Sequence, residues 1–228
     1  MKTSKIIFIS LLGTISAFIV AGAIDVRLNG QSSRIIENKN SHITLPLFSN
    51  IIIENSGNLN VIQSDSAYLE VNWQKDAEER DIDHILSGDT LIIIGISKSV
   101  EGLLYANLYV SGPINSIILR NSQIVINRIN SSVLSIRMNG SKAWLNDKPN
   151  GELLYNRLDI RATGESYINT GDFSADSVNV TLQNSMANLN IIAGRLNGVL
   201  SEGSTMTSRQ ADDIQLKKDS TSKILMRY

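Results

Sequence analysis

The sequence contains no cysteine, and this absence removes several kinds of chemistry at once. Disulfide bonds, thiolate nucleophiles and cysteine metal sites are excluded, and so is a lipid anchor attached to a cysteine thiol. Histidine is almost as scarce, because His42 and His84 alone cannot build a histidine-rich zinc site or an HExxH helix. No GxGxxG or GxxxxGK phosphate loop occurs either, so no cofactor is predicted.

Neither sign of charge is in excess. The 228 residues include 21 basic and 22 acidic ones, for a formal net charge of −1, which gives no electrostatic reason to expect nucleic-acid binding. Aromatic residues make up only 5% and there are three prolines, whereas Ile, Val, Asn, Ser and Gly are frequent. Because β-branched residues favour strands and Asn, Ser and Gly favour turns, the composition predicts an all-β protein with many short strands.

The first thirty residues carry a long hydrophobic run. Residues 6–24 contain no charge and follow Lys2 and Lys5. As a helix this segment would rise about 28 Å, close to the thickness of the hydrocarbon core of a bilayer. Ala21-Gly22-Ala23 also resembles a signal-peptide cleavage site. We therefore predict a signal anchor or cleaved signal peptide at residues 1–30, a membrane contact through residues 6–24, and a cell-envelope location outside the cytoplasmic membrane.

A repeat of roughly twenty residues follows Ile114, and it predicts a solenoid. Each unit has an alternating apolar strand and then a polar corner, and the equivalent positions of successive units are Leu119, Met138, Ala162, Leu182, Leu200 and Lys218. One such unit cannot bury its inner face, whereas stacked units bury a continuous core. We expect a parallel β-solenoid at residues 46–228 after a polar tether at residues 31–45. An antiparallel sandwich or barrel is the alternative, because its strands recur at half this period.

Several segments resemble the head GIN domain family of auto-transporter adhesins, which is common in Bacteroidetes. LPLFSNIIIENSGNLNVIQSDSAYLEV is similar to the family's opening strands, SGDTLIII to its Gly-Asp/Thr-Leu-x-Ile strand, and LYANLYVSGPINSIIL to its strand and Pro-x-Leu-x-x-Ile passage. The NGS, TGES and EGS corners resemble its Ser-Gly-Ser-Gly corners. The resemblance covers residues 45–228. It implies a single-stranded, right-handed parallel β-helix, here preceded by the N-terminal hydrophobic helix, with an envelope location and no established enzymatic activity.

Charged residues on the repeat were considered as an enzymatic site, because parallel β-helices also host polysaccharide lyases and hydrolases. Asp159 and Glu165 lie close in sequence to a set of aligned outward arginines, which are Arg120, Arg137 and Arg161. A solvated stripe of surface charge explains these residues better than a catalytic site does. The sequence therefore predicts an exposed arginine ladder and no catalytic residue.

Two further patterns are interpreted as structural. No calcium-binding repeat or EF-hand loop surrounds Asp212-Asp213 or Asp81-Ile82-Asp83, so no metal site is predicted.

The spacing of the aromatic residues along the strands favours core or edge packing over a platform on which sugars stack. These aromatic residues are Trp73, Tyr105, Tyr109, Trp144, Tyr155 and Tyr167.

Four Asp-Ser/Thr triplets resemble the O-glycosylation consensus of Bacteroidetes periplasmic proteins, although plain turn chemistry also accounts for them. Their hydroxyl residues are Ser66, Thr90, Ser177 and Ser220. Together, the observations predict a non-enzymatic envelope protein, adhesin-like, that binds a glycan or an envelope protein or acts as a structural module. The main alternative is a carbohydrate-active β-helix enzyme, and a signalling component of the envelope is a weaker one.

Overall fold

The computed structural model describes six stretches of the chain, which are residues 38–77, 82–96, 101–127, 129–146, 153–209 and 211–227. The hydrophobic run at residues 6–24 lies outside them, together with the membrane helix predicted there. Within the described stretches, no helix is long and apolar enough to cross a membrane. The first described strand falls within the segment predicted as a tether, residues 31–45.

Nineteen β-strands occupy the described stretches. Their bounds are β1 (Asn38–Thr44), β2 (Asn50–Glu54), β3 (Leu59–Gln63), β4 (Tyr68–Gln74), β5 (His84–Ser87), β6 (Thr90–Ile94), β7 (Leu103–Val110), β8 (Ser116–Arg120), β9 (Gln123–Asn127), β10 (Val133–Asn139), β11 (Lys142–Asn146), β12 (Leu153–Thr163), β13 (Tyr167–Thr170), β14 (Phe173–Gln183), β15 (Met186–Leu189), β16 (Ile191–Ser201), β17 (Thr205–Arg209), β18 (Asp213–Lys218) and β19 (Lys223–Arg227).

These strands form two sheets that share one hydrophobic core. The ten-stranded sheet has the order β1-β4-β7-β3-β9-β11-β13-β15-β17-β19, and the nine-stranded sheet has the order β18-β16-β14-β12-β10-β8-β2-β6-β5. Side chains alternate along each strand, so that in β10 Leu134, Ile136 and Met138 are buried while Arg137 is exposed. Each strand with this alternation places one set of side chains in the core and the other set on the outer face of its sheet.

The predicted single-stranded, right-handed parallel β-helix was wrong, because both sheets are mixed. β4 runs antiparallel to β1 and to β7, and β5 runs antiparallel to β6. The strand order also departs from the chain order, since β3 lies between β7 and β9 and β2 lies between β6 and β8. One cause is local: Gly88, at φ 62°, and Asp89 form the turn of a β5–β6 hairpin, a connection that reverses the chain.

Residues 116–227 differ from this mixed part, because the strand pairs described there are all parallel. Leu119 pairs with Met138, and Met138 pairs with Ala162. The same row then passes through Leu182, Leu200 and Lys218. The register therefore confirms the alignment of the repeats, although the fold class that was inferred from them is wrong.

In the described part of the chain, a buried serine stands at seven of the corners where the chain passes from the nine-stranded sheet to the ten-stranded sheet. These residues are Ser56, Ser122, Ser141, Ser166, Ser185, Ser204 and Ser222. The backbone N–H of Ser122 donates to Oγ of Ser141 at 3.1 Å, and the Ser141 hydroxyl donates to the carbonyl of Asn139 at 2.8 Å. In most corners the residue before the serine has a positive φ, as Asn121 (48°) and Gly140 (59°) do. Asn and Gly tolerate this conformation, which explains the polar corners of the repeat.

Candidate binding face

Aromatic side chains gather on the outer face of the ten-stranded sheet. Trp144, for example, lies between the buried residues Ala143 and Leu145, and therefore points outward. By the same alternation, five aromatic residues of the described strands face outward on this sheet: Tyr68, Tyr105, Tyr109, Trp144 and Tyr167. The described strands of the nine-stranded sheet place no Tyr, Trp or Phe on their outer face.

The interpretation of the aromatic residues as packing residues is correct for Trp73 and Tyr155. Both are fully buried, and Tyr155 contacts Phe173 edge-on with ring centroids 5.5 Å apart. The other four aromatic residues singled out from the sequence lie on the outer face. Tyr68 was missed, although the alternation of strand β4 is the signal that could have identified it, because Leu69 and Val71 are buried while Tyr68 is not.

Tyr68 and Tyr109 stack beside Glu70 at one end of this face. Their ring centroids are 4.2 Å apart and the rings are almost parallel. The Glu70 carboxylate accepts hydrogen bonds from Nδ2 of Asn107 at 2.9 Å and from the Tyr109 hydroxyl at 3.4 Å, and Nε2 of His42 lies 4.0 Å away. Burial raises the pKa of Tyr109, and the charge of Glu70 raises it further. The Tyr109 hydroxyl therefore keeps its proton and donates its hydrogen bond to Glu70.

A shallow groove of about 370 Å³ lies next to this cluster and crosses β7, β3 and β9. Its lining residues are Asn58, Leu59, Asn60, Leu104, Tyr105, Gln123, Ile124 and Val125, none of which carries a formal charge at neutral pH. Leu59 and Ile124 belong to the core, so they form the floor. Nδ2 of Asn60 donates to Oδ1 of Asn107 at 2.8 Å, which fixes the Asn60 side chain at the groove.

Trp144 and Tyr167 continue the face beyond the groove. Val125 pairs directly with Trp144, and Lys142 pairs with Tyr167. The rings of Trp144 and Tyr167 meet edge-on, with centroids 6.3 Å apart. Four strand spacings separate β7 from β13, so Tyr105 and Tyr167 bracket a stretch of about 19 Å across the sheet.

The outer face of the nine-stranded sheet carries the predicted arginines. Arg120, Arg137 and Arg161 are all exposed there. Arg137 pairs directly with Arg161, whereas Arg120 pairs with Asn139, two residues further along β10. Arg120 also forms an ion pair with Glu54. The direct ladder thus comprises two arginines, and Arg120 is displaced from it by two residues.

Asp159, which was considered from the sequence as part of an enzymatic site, forms hydrogen bonds with its neighbours on the same outer face. Its carboxylate accepts hydrogen bonds from Nε of Arg157 at 3.0 Å and from Nδ2 of Asn179 at 2.7 Å. Nδ2 of Asn197 in turn donates to Oδ1 of Asn179 at 2.9 Å. These contacts bind Asp159 into a row of polar side chains across neighbouring strands. In the described part of the chain, no three His, Asp or Glu side chains are grouped as metal ligands would be, and Asp81 lies outside that part.

The four predicted O-glycosylation residues differ in exposure. Ser66 and Ser220 are exposed, whereas Thr90 and Ser177 are half-buried. The aspartates of two triplets act as turn acceptors: Asp219 receives hydrogen bonds from Ser222 and from the Glu202 N–H, and Asp89 receives them from Ser49 and Asn50. These hydrogen bonds hold the pKa values of both carboxyls below their ordinary range.

Comparison with known proteins identifies the fold but no family. No protein-family model and no curated protein matches the chain. A putative adhesin from Bacteroides fragilis has a similar structure, with a TM-score of 0.60 and 14% identity over 84% of this chain and 97% of that one. This chain shares its fold.

Two structures from Parabacteroides distasonis are also similar. One is a putative adhesin, with a TM-score of 0.52 and 12% identity over 84% of this chain and 97% of that one. The other is a putative lipid binding protein, with a TM-score of 0.53 and 10% identity over 83% of this chain and 94% of that one. These neighbours show the fold alone, and membership of the head GIN family stays a hypothesis.

Proposed function

We propose that this chain is a non-enzymatic, adhesin-like binding module of the cell envelope, and that it binds through the outer face of its ten-stranded sheet. The observation that carries this proposal is the concentration of outward aromatic side chains on that face, beside an uncharged groove. Exposed aromatic rings supply a large contact area at a small cost in conformational entropy, so they are favoured at binding surfaces. The adhesins and the lipid binding protein of the same fold support a binding role.

Membership of the head GIN family and display outside the cytoplasmic membrane belong to the same proposal. The segments that resemble the family span residues 45–228, and the three similar structures come from Bacteroidetes. The hydrophobic run at residues 6–24 supplies the route of export or the anchor. Fractionation of the native host tests this part: the chain should occur with the envelope, and recovery in the cytoplasmic fraction would contradict it.

A carbohydrate-active enzyme would need two carboxyl groups about 5–10 Å apart beside the substrate. The groove is lined without any carboxylate, and Asp159 lies on the other sheet, bonded to Arg157 and Asn179. These observations favour binding without cleavage. Incubation of the full chain with polysaccharides should release no soluble sugar, and a release that requires the native chain would contradict the proposal.

The decisive experiment compares the two outer faces. The full chain, purified in a mild detergent and immobilised, is exposed to envelope vesicles and purified surface polysaccharide of a Bacteroidetes species. One variant carries Val125→Glu and Tyr167→Glu on the ten-stranded sheet. Its matched control carries Thr181→Glu and Val199→Glu, two exposed outward positions of the nine-stranded sheet.

We expect saturable binding that the first variant loses and the control variant keeps. The added negative charges are the same in number, so a general charge effect would weaken both variants equally. Circular dichroism and the melting temperature verify that each variant is folded. Loss of binding only in the control variant would place the binding surface elsewhere, and equal loss in both variants would contradict a specific role of the ten-stranded sheet.

O-glycosylation remains a separate prediction for the native host. Ser66 and Ser220 are the favoured acceptors, because a transferase needs an exposed hydroxyl and these two are more exposed than Thr90 and Ser177. Mass spectrometry of peptides from the native protein should find a glycan mass on Ser66 or Ser220. Unmodified peptides at all four residues would end the hypothesis.

A further inference from the structure

We infer that the ligand of this face is a neutral glycan chain that lies across the strands, from Tyr105 through the groove to Trp144 and Tyr167. The inference rests on the proposed function and adds the chemical class of the ligand and its path. Both ends of the path are aromatic, and the groove combines amide with apolar side chains, a combination that suits sugars.

The aromatic residues match one side of a sugar ring. A pyranose presents a patch of C–H groups on its face and hydroxyls around its edge. The C–H patch packs on an aromatic ring, whose face carries partial negative charge. Tyr105 is 40% exposed, so its ring is available to such a partner, and Trp144 and Tyr167 offer two further rings.

The amides match the other side of the sugar. An Asn or Gln side chain both donates and accepts hydrogen bonds, as a sugar hydroxyl does. Asn60 and Gln123 both line the groove, and Asn60 is held by its hydrogen bond of 2.8 Å to Asn107. A fixed amide loses little side-chain entropy when a ligand binds, so it adds to affinity and to orientation.

The absence of formal charge in the groove favours a neutral glycan over an acidic one. Recognition of a carboxylate or sulfate commonly uses Arg or Lys, frequently in bidentate pairs. The groove lining contains neither residue, and among the described residues the path beyond it carries a single cation, Lys142, which pairs with Gln123 and with Tyr167 and has no second cation as a direct neighbour in these pairs. The arginines Arg137 and Arg161 lie on the other sheet.

The shape of the surface favours a chain over a small molecule. Pockets for small ligands enclose most of the ligand surface, whereas this groove is shallow and open. The distance of about 19 Å from Tyr105 to Tyr167 is several times the width of one sugar ring. The surface therefore offers separate contacts to successive sugar units.

Affinity electrophoresis of the full chain in mild detergent tests this inference, with native gels that contain yeast mannan, dextran or amylopectin. Dextran sulfate serves as the acidic probe. We expect retardation by at least one neutral polysaccharide, and Tyr105→Ala and Trp144→Ala should each weaken it about tenfold, as the loss of a central aromatic contact does. The matched control is Leu225→Ala, which removes an exposed apolar side chain of the same sheet on β19, three strands beyond Tyr167.

Tyr105→Phe and Trp144→Phe keep a ring and should keep most of the affinity, which separates stacking from a general loss of structure. Stronger retardation by dextran sulfate than by all three neutral polymers would overturn the inference, and so would equal loss in Leu225→Ala and Tyr105→Ala. Binding of vesicles through the ten-stranded sheet without retardation by any neutral polymer would also overturn it. That last result leaves the proposed function intact, whereas binding through the nine-stranded sheet would contradict both the proposed function and the inference of a neutral glycan.

Discussion

Two regions of the chain contribute to the same pair of sheets in different ways. In residues 38–110, β4 runs antiparallel to two neighbours and β5 and β6 form a hairpin. In residues 116–227, each strand pairs in parallel with a partner 18–25 residues away. A repeat is visible in the sequence only in the second region, because only there does each unit add one strand to each sheet in the same order.

The candidate groove lies where the two regions meet. Asn60 of β3 pairs with Val125 of β9, although 65 residues separate them in the chain. Tyr105 comes from the mixed region, while Gln123, Trp144 and Tyr167 come from the parallel one. The binding face therefore depends on the docking of the two regions, and the predictions below test whether they behave as one unit.

The largest expected effect comes from truncating one core residue in each region. Trp73 and Ile160 are both fully buried in the one shared core. Trp73→Ala should lower the free energy of unfolding by about 3–5 kcal/mol and Ile160→Ala by about 2–5 kcal/mol. Denaturation followed by circular dichroism should give a single transition in both variants. A second transition that moves with only one substitution would mean that the regions unfold separately.

A serine corner of the parallel region should give a smaller effect. Ser141→Ala removes the hydroxyl that accepts the Ser122 N–H and leaves this buried donor without its partner. We expect a loss of about 1–3 kcal/mol in the free energy of unfolding. Ser132→Ala, at an exposed position, should change it by less than about 0.5 kcal/mol. Equal effects of the two substitutions would show that the corner hydroxyls contribute nothing.

The end of the parallel region can be tested by its self-association. β18 is the last strand of the nine-stranded sheet, and Lys218 occupies an inward position beside Leu200. An inward charge on an edge strand discourages pairing with another chain. Lys218→Leu should therefore raise self-association in sedimentation velocity, relative to Lys217→Leu at the neighbouring outward position. The explanation fails if both variants sediment alike.

The smallest effect concerns pH and compares one turn from each region. Asp89 and Asp219 have lowered pKa values in the folded chain because of hydrogen bonds from Ser49 and from Ser222, respectively. A lowered pKa stabilises the fold above the ordinary carboxyl pKa of about 3.9, and this stability is lost as the pH falls towards the folded value. Melting temperatures from pH 7 to pH 3 should fall less for Asp219→Asn than for the native chain.

Asp89→Asn should show the same change but a smaller one. Several hydrogen bonds within one turn lower the pKa of Asp219 further than the pKa of Asp89 is lowered. Both carboxyls are exposed, so salt and solvent weaken these effects. If the melting temperatures of the native chain and of both variants fall by the same amount between pH 7 and pH 3, the proposed role of these turns is wrong.

Local patterns were enough to predict the all-β character, the polar corners and the alignment of Leu119, Met138 and Ala162, but not the strand β1 inside the predicted tether. They were not enough for Arg120, whose register differs by two residues from that of Arg137, because alternation defines the face of a side chain but not its row. The aromatic residues illustrate the same limit. Spacing alone did not separate the buried Trp73 and Tyr155 from the outward Trp144.

The sequence by itself determined the all-β character, the corner chemistry and the inward and outward positions of the repeated strands. These properties follow from alternation and from turn residues, which act over a few residues. Only the tertiary structure decided which strands are neighbours in residues 38–110, and with them the groove between Tyr105 and Val125. The direction and partner of a strand depend on contacts between distant segments that bury a common core, and no short-range pattern encodes that choice.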